Sequence, residues 1–320
     1  MTNPVSDLLI IGTGVAGLSA AITAAAEGLD VHAIGRDDGQ IARSPRVENF
    51  PGFLTSPGGG QSGQALINTM RAQAQDFGAT LDYGTVIGVT RGRDTWVVVA
   101  NMWDPDGRRQ GPRAFTTKQV LVATGVAHAT LDGLAPPAPD AELVAVIGGG
   151  NSAGQAALGY AEQGKRVMLF ARHPLPETMS HYLRDRISQT KTIEVFTNVA
   201  VVGCESRGDT VCVETDDGKN HTVDGGMCCI GGKPDTDFLS PLIARDADGF
   251  IIRTHGKHTG VVPWAGGAML EVGDTIERPI GRKATWPVYV AGDVVRGLPK
   301  RATVAMGDGV GAVLEMQGWI

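Results

Sequence analysis

Gly12, Gly14 and Gly17 stand in GxGxxG spacing between the apolar run "DLLII" and the alanine-rich run "LSAAITAAA". A strand that turns at once into a helix needs these glycines for three separate reasons. Gly12 permits the tight turn, Gly14 lets a pyrophosphate approach the backbone, and Gly17 lets helix and strand pack closely. The exposed N–H groups and the dipole of the helix N-terminus then favour a phosphate. A second set, Gly148, Gly150 and Ala153, follows the GxGxxA variant in "ELVAVIGGGNSAGQAALGYAEQGKRVMLFAR", with Asn151 and Ser152 opening its helix. Two such units imply two dinucleotides, most simply one flavin and one nicotinamide.

The residue after the second strand of each unit bears on the choice of ligand. An acid there binds a ribose 2′-OH, and a basic residue accommodates a 2′-phosphate. In the first unit the strand ends "AIGRDDG", with Gly35 where the acid would sit. Asp37 and Asp38 are the nearest acids, either as ribose ligands or as solvated loop residues. In the second unit Phe170 is followed by Ala171 and Arg172, with Arg184 and Arg186 further on. Arg172 favours NADPH over NADH, while NADH or a second nucleotide stays open. Arg184 and Arg186 read equally well as phosphate ligands and as the exposed face of a helix.

Strand, glycine turn, helix and second strand, present twice, describe an α/β protein with two Rossmann-like, three-layer nucleotide-binding domains. The length of 320 residues fits two domains of ordinary size. Hydrophobic residues make up 42% and charged residues 19%, the balance of a globular protein. A net charge of −6 with no basic run argues against a nucleic-acid partner. No segment approaches the roughly 20 apolar residues of a membrane helix, and no signal-like leader opens the chain, so no membrane partner and a cytoplasmic location are expected. Cys204, Cys212, Cys228 and Cys229 form neither a CxxC nor a zinc-ligand spacing, so no metal is expected.

Several ordered motifs resemble the low-molecular-weight thioredoxin reductase-like flavoproteins across nearly the whole chain. "GQIARSPRVENFPGF" is similar to a segment that lies along the flavin in that family, and "VLVATGVA" to the strand that closes the first FAD segment. "CCIGGKPDTDFL" resembles the end of the nicotinamide domain, and "VYVAGDVVRGLPKRATVAMGDGVGAV" the segment whose aspartate holds the FAD ribityl and phosphate region. The resemblance implies FAD contacts from Gly12, Gly14, Gly17, Gln40, Asn49, Thr124, Gly125, Gly292, Asp293, Arg301 and Ala302. NADP contacts fall to Gly148, Gly150, Asn151, Ser152, Ala153 and Arg172. Asn49 also reads as a turn former and Asp293 as a helix N-cap. Lys300, Arg301 and the last helix N-terminus are expected to stabilise a reduced flavin. The NAD(P) domain is then inserted into a split FAD domain: residues 1–127 and 246–320 for FAD, 128–245 for NAD(P).

The family's thioredoxin reductases carry a CxxC ahead of the second glycine turn, whereas this chain has no cysteine before Cys204. Only 18 residues, rich in proline, separate Gly125 from Val144, too few for the expected strand and cysteine-bearing helix. Cys228 and Cys229 are expected in a buried strand, projecting to opposite faces and behaving as small hydrophobes. The resemblance therefore implies a homodimeric FAD enzyme of the branch that lacks CxxC, reduced by NADPH and reoxidised by an unknown external acceptor, a small molecule or a redox protein. The alternative is a non-reductase flavoprotein, a sensor or carrier-driven protein with FAD or another nucleotide in the second site. His128, just after the ATG segment, is the candidate for proton transfer. His255 and His258 are expected in a solvated loop rather than at a metal, and Trp264 and Trp286 in ordinary packing.

Overall fold

The computed structural model describes residues 4–36, 39–44, 46–53, 62–104, 106–240, 242–254, 257–260 and 287–319. Asp37, Asp38, His255, Trp264, Trp286 and the His128 side chain lie outside the described residues. The described chain falls into two compact units, Met1–Ala42 with Ala65–Val126 and Lys233–Ile320, and Arg43–Gln64 with Ala127–Gly232.

The first unit opens with β1 (Val5–Ile11), α1 (Val15–Ala26) and β2 (Val31–Gly35). Leu8, Leu9, Ile10 and Ile11 are all buried, the pattern of a parallel strand covered on both faces. α2 (Gly63–Asp76) leads to a meander of β3 (Thr80–Arg91), β4 (Trp96–Trp103) and β5 (Arg109–Val122). β1 pairs in parallel with β2 on one side and with β5 on the other, so Ile11 lies level with both Ile34 and Val122. β2 continues to β3 in parallel, and β4 runs antiparallel between β3 and β5. Trp96, Val98, Ala100 and Met102 turn alternate β4 side chains into the core, against Phe115, Val120 and Val122.

The second unit contains β6 (Ala127–His128), β7 (Leu143–Ile147), α3 (Asn151–Glu162) and β8 (Arg166–Ala171). It continues with α4 (Leu175–Thr178), α5 (His181–Gln189) and β9 (Ile193–Thr197). A three-stranded antiparallel layer, β10 (Val201–Arg207), β11 (Thr210–Thr215) and β12 (Asn220–Val223), precedes β13 (Gly225–Cys228). The parallel sheet has the order β13-β7-β8-β9. Ala153, Ala157 and Leu158 of α3 pack with Leu183 and Ile187 of α5 on one face, and Phe170 packs with Val211 and Val213 on the other.

The chain returns to the first unit through β14 (Gly232–Lys233), then β15 (Val288–Val290) and α6 (Ala302–Met316). β15 extends the parallel part of the first sheet beyond β5.

Two stretches differ from the expected division of the chain. Residues 233–245, expected in the inserted domain, belong to the first unit. There the Thr236 hydroxyl donates to the Gly249 carbonyl at 2.7 Å, and Leu239 and Ile243 enter the same core as Ile251 and Val294. Residues 43–64, expected with the first segment, belong to the second unit. Arg46 is buried between Glu48 and Glu162, and Arg186 binds the same two carboxylates at 2.6 and 3.0 Å, closing a ring of alternating charges.

Candidate functional site

Each unit changes the direction in which its parallel sheet grows beside its first strand, where open α/β sheets bind their ligands. In the first unit that point lies between β1 and β5. Gly12 has φ +116°, and a Cβ there would stand 2.2 Å from the Ala123 carbonyl oxygen. A Cβ on Gly17 would stand 1.9 Å from the Gly12 carbonyl oxygen. These two positions are closed by the protein itself. A Cβ on Gly14 would meet nothing within 4 Å, so the middle glycine faces open space. α1 begins there with no side-chain cap and no acid in its first turn, leaving N–H groups for an anion. Beside the turn, the Thr124 hydroxyl is buried without a hydrogen-bond partner, next to Gly125. An open cradle, an uncapped helix and an orphaned hydroxyl fit the phosphate and ribityl groups of a bound dinucleotide.

α6 and the Ala291-Gly292-Asp293 turn close on the first turn of α1. A Cβ on Gly309 would lie 2.1 Å from the Ala16 carbonyl oxygen, and one on Gly292 2.7 Å from the Ala16 Cβ. Burial pushes the Asp293 carboxyl above its usual range, and Lys300 pulls it back. Gln40 donates to the Val126 carbonyl at 3.0 Å and so ties its own loop to the end of the ATG segment. Arg301 is the exposed N-cap of α6, with Ala302 as the first helical residue. Lys300 departs from expectation. Its ammonium donates to the Asp293 and Val295 carbonyls at 2.6 and 3.0 Å and sits 4.6 Å from the Phe250 ring centre, holding the turn rather than standing free beside a ligand. Asn49 belongs to the second unit.

The missing acid at position 35 has a steric cause. A Cβ on Gly35 would lie 2.4 Å from the Thr13 hydroxyl oxygen and 2.5 Å from its amide nitrogen. Thr13, the unremarked residue of the first glycine turn, thus excludes any side chain there.

The second unit repeats the cradle between β7 and β13. Gly148 has φ +140°, and a Cβ there would lie 2.4 Å from the Cys229 carbonyl oxygen, whereas one on Gly150 would meet nothing within 4 Å. Ala153 is fully buried at the third position. α3 begins without a side-chain cap bond. The Asn151 side chain accepts from the Ser180 N–H at 2.8 Å, and the Thr178 hydroxyl donates to the Gly149 carbonyl at 2.7 Å. Those two bonds tie the α4 region to the glycine turn, while Ser152 stays exposed. Arg172 is exposed one residue beyond β8. Arg186 is not a free helix-face residue, being held in the ring with Glu48 and Glu162, and the Arg184 Nε is buried without a partner.

The proline-rich bridge is fixed to the second unit. Lys165 is 7% exposed, and its ammonium donates to the Pro139 and Ala141 carbonyls at 2.7 Å each. The Gly226 N–H donates to the Ala135 carbonyl at 2.8 Å, and the Asp224 carboxylate accepts from the Glu142 and Leu143 N–H groups. All four cysteines are free. Cys228 and Cys229 are half-buried at the end of β13 rather than fully buried within it. Burial pushes the Cys229 thiol up to about 12 and raises Cys228 and Cys204 as well, the opposite of what a reactive thiol needs.

His258 is not in a solvated loop. Its ring lies between Asp308 and Glu315 of α6, at 3.2 and 3.0 Å. Among the described residues, no three His, Cys, Asp or Glu side chains are grouped to hold a metal ion. Sequence reasoning passed over Asp308 and Thr13. Asp308 carried one local signal, as the lone acid among the small residues of "ATVAMGDGVGAV".

Residues 6–269 match the family model described as pyridine nucleotide-disulphide oxidoreductase. The thioredoxin reductase of Chlamydia trachomatis is 27% identical, over 98% of both chains. The bifunctional thioredoxin reductase/thioredoxin of Mycobacterium leprae is 28% identical, over 99% of this chain and 66% of its own length. Among solved structures, the thioredoxin reductases of Lactococcus lactis and T. acidophilum superpose with TM-scores of 0.73 and 0.75 at 22% and 23% identity, each over 98% of both chains. At that identity they establish the fold.

Proposed function

The chain belongs to the pyridine nucleotide-disulphide oxidoreductase family and is of the thioredoxin reductase type, and from that premise we propose that it is an NADPH-dependent FAD oxidoreductase whose electrons leave to an external acceptor. The observation that carries this reading is the doubled cradle. In both units the outer positions of the glycine motif are filled or closed by the protein, and the middle one opens beside an uncapped helix. The first unit takes FAD and the second takes NADPH, so the FAD unit is split in sequence by the nicotinamide unit. FAD, when bound, supplies the ring system that accepts a hydride from NADPH and passes electrons on.

The chain's own residues bind and orient. Gly14 and the α1 N–H groups hold the FAD pyrophosphate, with Thr124 and Asp293 as polar partners for the rest of the cofactor. Gly150 and the α3 N–H groups hold the NADPH pyrophosphate, and Arg172 takes the 2′-phosphate. A thioredoxin-directed dithiol route has no support in the sequence, which lacks CxxC. Burial also raises the thiols of Cys204, Cys228 and Cys229, where such a route needs a lowered pKa. The acceptor is therefore a separate molecule that meets the flavin directly. The family pattern supports a homodimer.

An anaerobic stopped-flow titration with NADPH and NADH, following the flavin absorbance band, tests this. Fast bleaching by NADPH and slower bleaching by NADH is the expected result. Bound flavin that dithionite bleaches but neither nucleotide does would sink the reductase reading in favour of a carrier-driven or sensory flavoprotein.

A further inference from the structure

His258 precedes β15 by thirty residues in sequence, yet its ring lies on α6. The placement is fixed by backbone as well as by side chain. The His258 N–H donates to the Glu315 carboxylate at 2.6 Å, and its carbonyl accepts from the Val290 N–H at 2.7 Å. A Cβ at Gly311 would stand 2.9 Å from the ring, so a glycine at that point of the helix is what admits the imidazole. Nδ1 then lies 3.0 Å from Glu315 and Nε2 lies 3.2 Å from Asp308.

Both ring nitrogens thus face carboxylates, and a neutral imidazole can donate from only one of them. The charged groups acting on the ring are Asp308 and Glu315 from α6 and Arg253, and Tyr289 of β15 lies in the field of Glu315. Arg253 binds the same Asp308 oxygen at 2.7 Å. With the imidazolium present, two cations match two carboxylates whose side chains are only 8% and 11% exposed. Losing the proton leaves one buried carboxylate without its counter-charge, which is costly. The other Asp308 oxygen accepts the Gly292 N–H at 2.8 Å, and Gly292 is the central residue of the turn that faces the first cradle.

We propose that His258 is a positioning residue for the flavin cradle: its imidazolium holds the Asp308 carboxylate on the Gly292 N–H and so keeps the Ala291-Gly292-Asp293 turn shaped for the dinucleotide. The proposal rests on the reading that the first unit binds FAD. Hydrogen bonding to Asp308, and then to Glu315, raises His258 above its ordinary 6.5 against the opposing effect of burial. A raised value means that the clamp is complete below about pH 6.5 and is lost as pH climbs through the folded-state value.

FAD titrations of the full chain between pH 5.5 and 9, read by flavin fluorescence, test this on the wild type, His258→Gln and Asp308→Asn. Alongside them, NMR of the ¹³C-labelled histidine rings is followed with and without FAD. The wild-type Kd is expected to be flat at low pH and then to rise, by about tenfold for each unit by which bound FAD raises the His258 pKa. Both variants should bind weakly at every pH, with the slope gone. Tight, pH-independent FAD binding by the wild type, or a His258→Gln protein that keeps the wild-type slope, would overturn the inference alone. A wild type that binds no FAD at any pH overturns the flavin reading and the inference with it. If His258→Gln fails to fold, the NMR titration decides: a His258 pKa that FAD raises supports the proposal, and one that FAD leaves unmoved overturns it.

Discussion

The Lys165 ammonium lies 2.7 Å from the Pro139 carbonyl oxygen. Prolines contribute carbonyls but no N–H donors, so a proline-rich bridge cannot pair its carbonyls within itself and needs donors from elsewhere. One buried cation therefore gathers the bridge onto the unit that follows it, at a place where a peptide without regular structure would otherwise leave its carbonyls unpaired.

Replacing Lys165 by Met keeps the stem and removes the donors. Charge-assisted bonds to buried carbonyls are worth about 1.5–3 kcal/mol, and the Pro139 and Ala141 oxygens would be left unsatisfied. Lys165→Met should therefore lower the stability of the second unit by about 2–3 kcal/mol in urea unfolding, with FAD retention by the first unit unchanged. A loss below about 0.5 kcal/mol would show that water replaces the ammonium without cost.

Gly14 and Gly12 make an internal control for the first cradle. Gly14→Ala adds a methyl group where nothing lies within 4 Å, so the fold should change by less than about 1 kcal/mol while FAD binding weakens at least tenfold. Gly12→Ala strains a φ of +116° and drives its methyl into the Ala123 carbonyl, so folding itself should suffer. Thermal unfolding and flavin content, measured together, separate the two. Equal loss of fold in both variants would mean that the open space at Gly14 is not a ligand site.

The contrast between those glycines also marks what the sequence could disclose. Each GxGxx(G/A) motif is local: strand, turn and helix are consecutive, so spacing alone identifies the cradle and its open middle position. The ring of Arg46, Glu48, Glu162 and Arg186 joins residues more than a hundred positions apart, and no periodicity announces it. For that reason residues 43–64 read as part of the first unit. His258 and Asp308 were hidden for the same reason. A histidine in a polar, glycine-containing stretch looks solvated until a distant helix with a glycine at the right turn is laid against it. Gly35 is the converse case, where an apparent defect in a motif is explained by Thr13, a residue the motif treats as variable.

On the proposed reading, donor choice depends on Arg172. It stands exposed one position beyond β8, whereas Arg186 is engaged with Glu48 and Glu162. Arg172→Ala should raise KM for NADPH by about 10- to 100-fold, the effect of a lost phosphate contact of about 1.5–3 kcal/mol. KM for NADH should stay within about twofold. Steady-state kinetics with both nucleotides checks this, and an equal rise for both would move the 2′-phosphate contact elsewhere.

Cys229 supplies the last test, because its thiol bears on whether any dithiol route survives. Burial raises it from 9.0 to about 12, so at pH 8 the folded protein holds about a thousandfold less thiolate at this position than the unfolded chain. Pulse alkylation at pH 8, read by mass spectrometry, should leave Cys229 unlabelled in the native protein and label it promptly in denaturant. The same shift sets a pH dependence. Between about pH 9 and 12 the unfolded thiol has lost its proton while the folded one keeps it, so this residue makes folding progressively less favourable as pH rises above 9. A Cys229→Ser chain, whose hydroxyl does not ionise in that range, should show a shallower alkaline loss of stability. Rapid native labelling of Cys229, together with its loss on adding NADPH and an oxidised acceptor, would restore a thiol to the electron path and require the external-acceptor reading to be withdrawn.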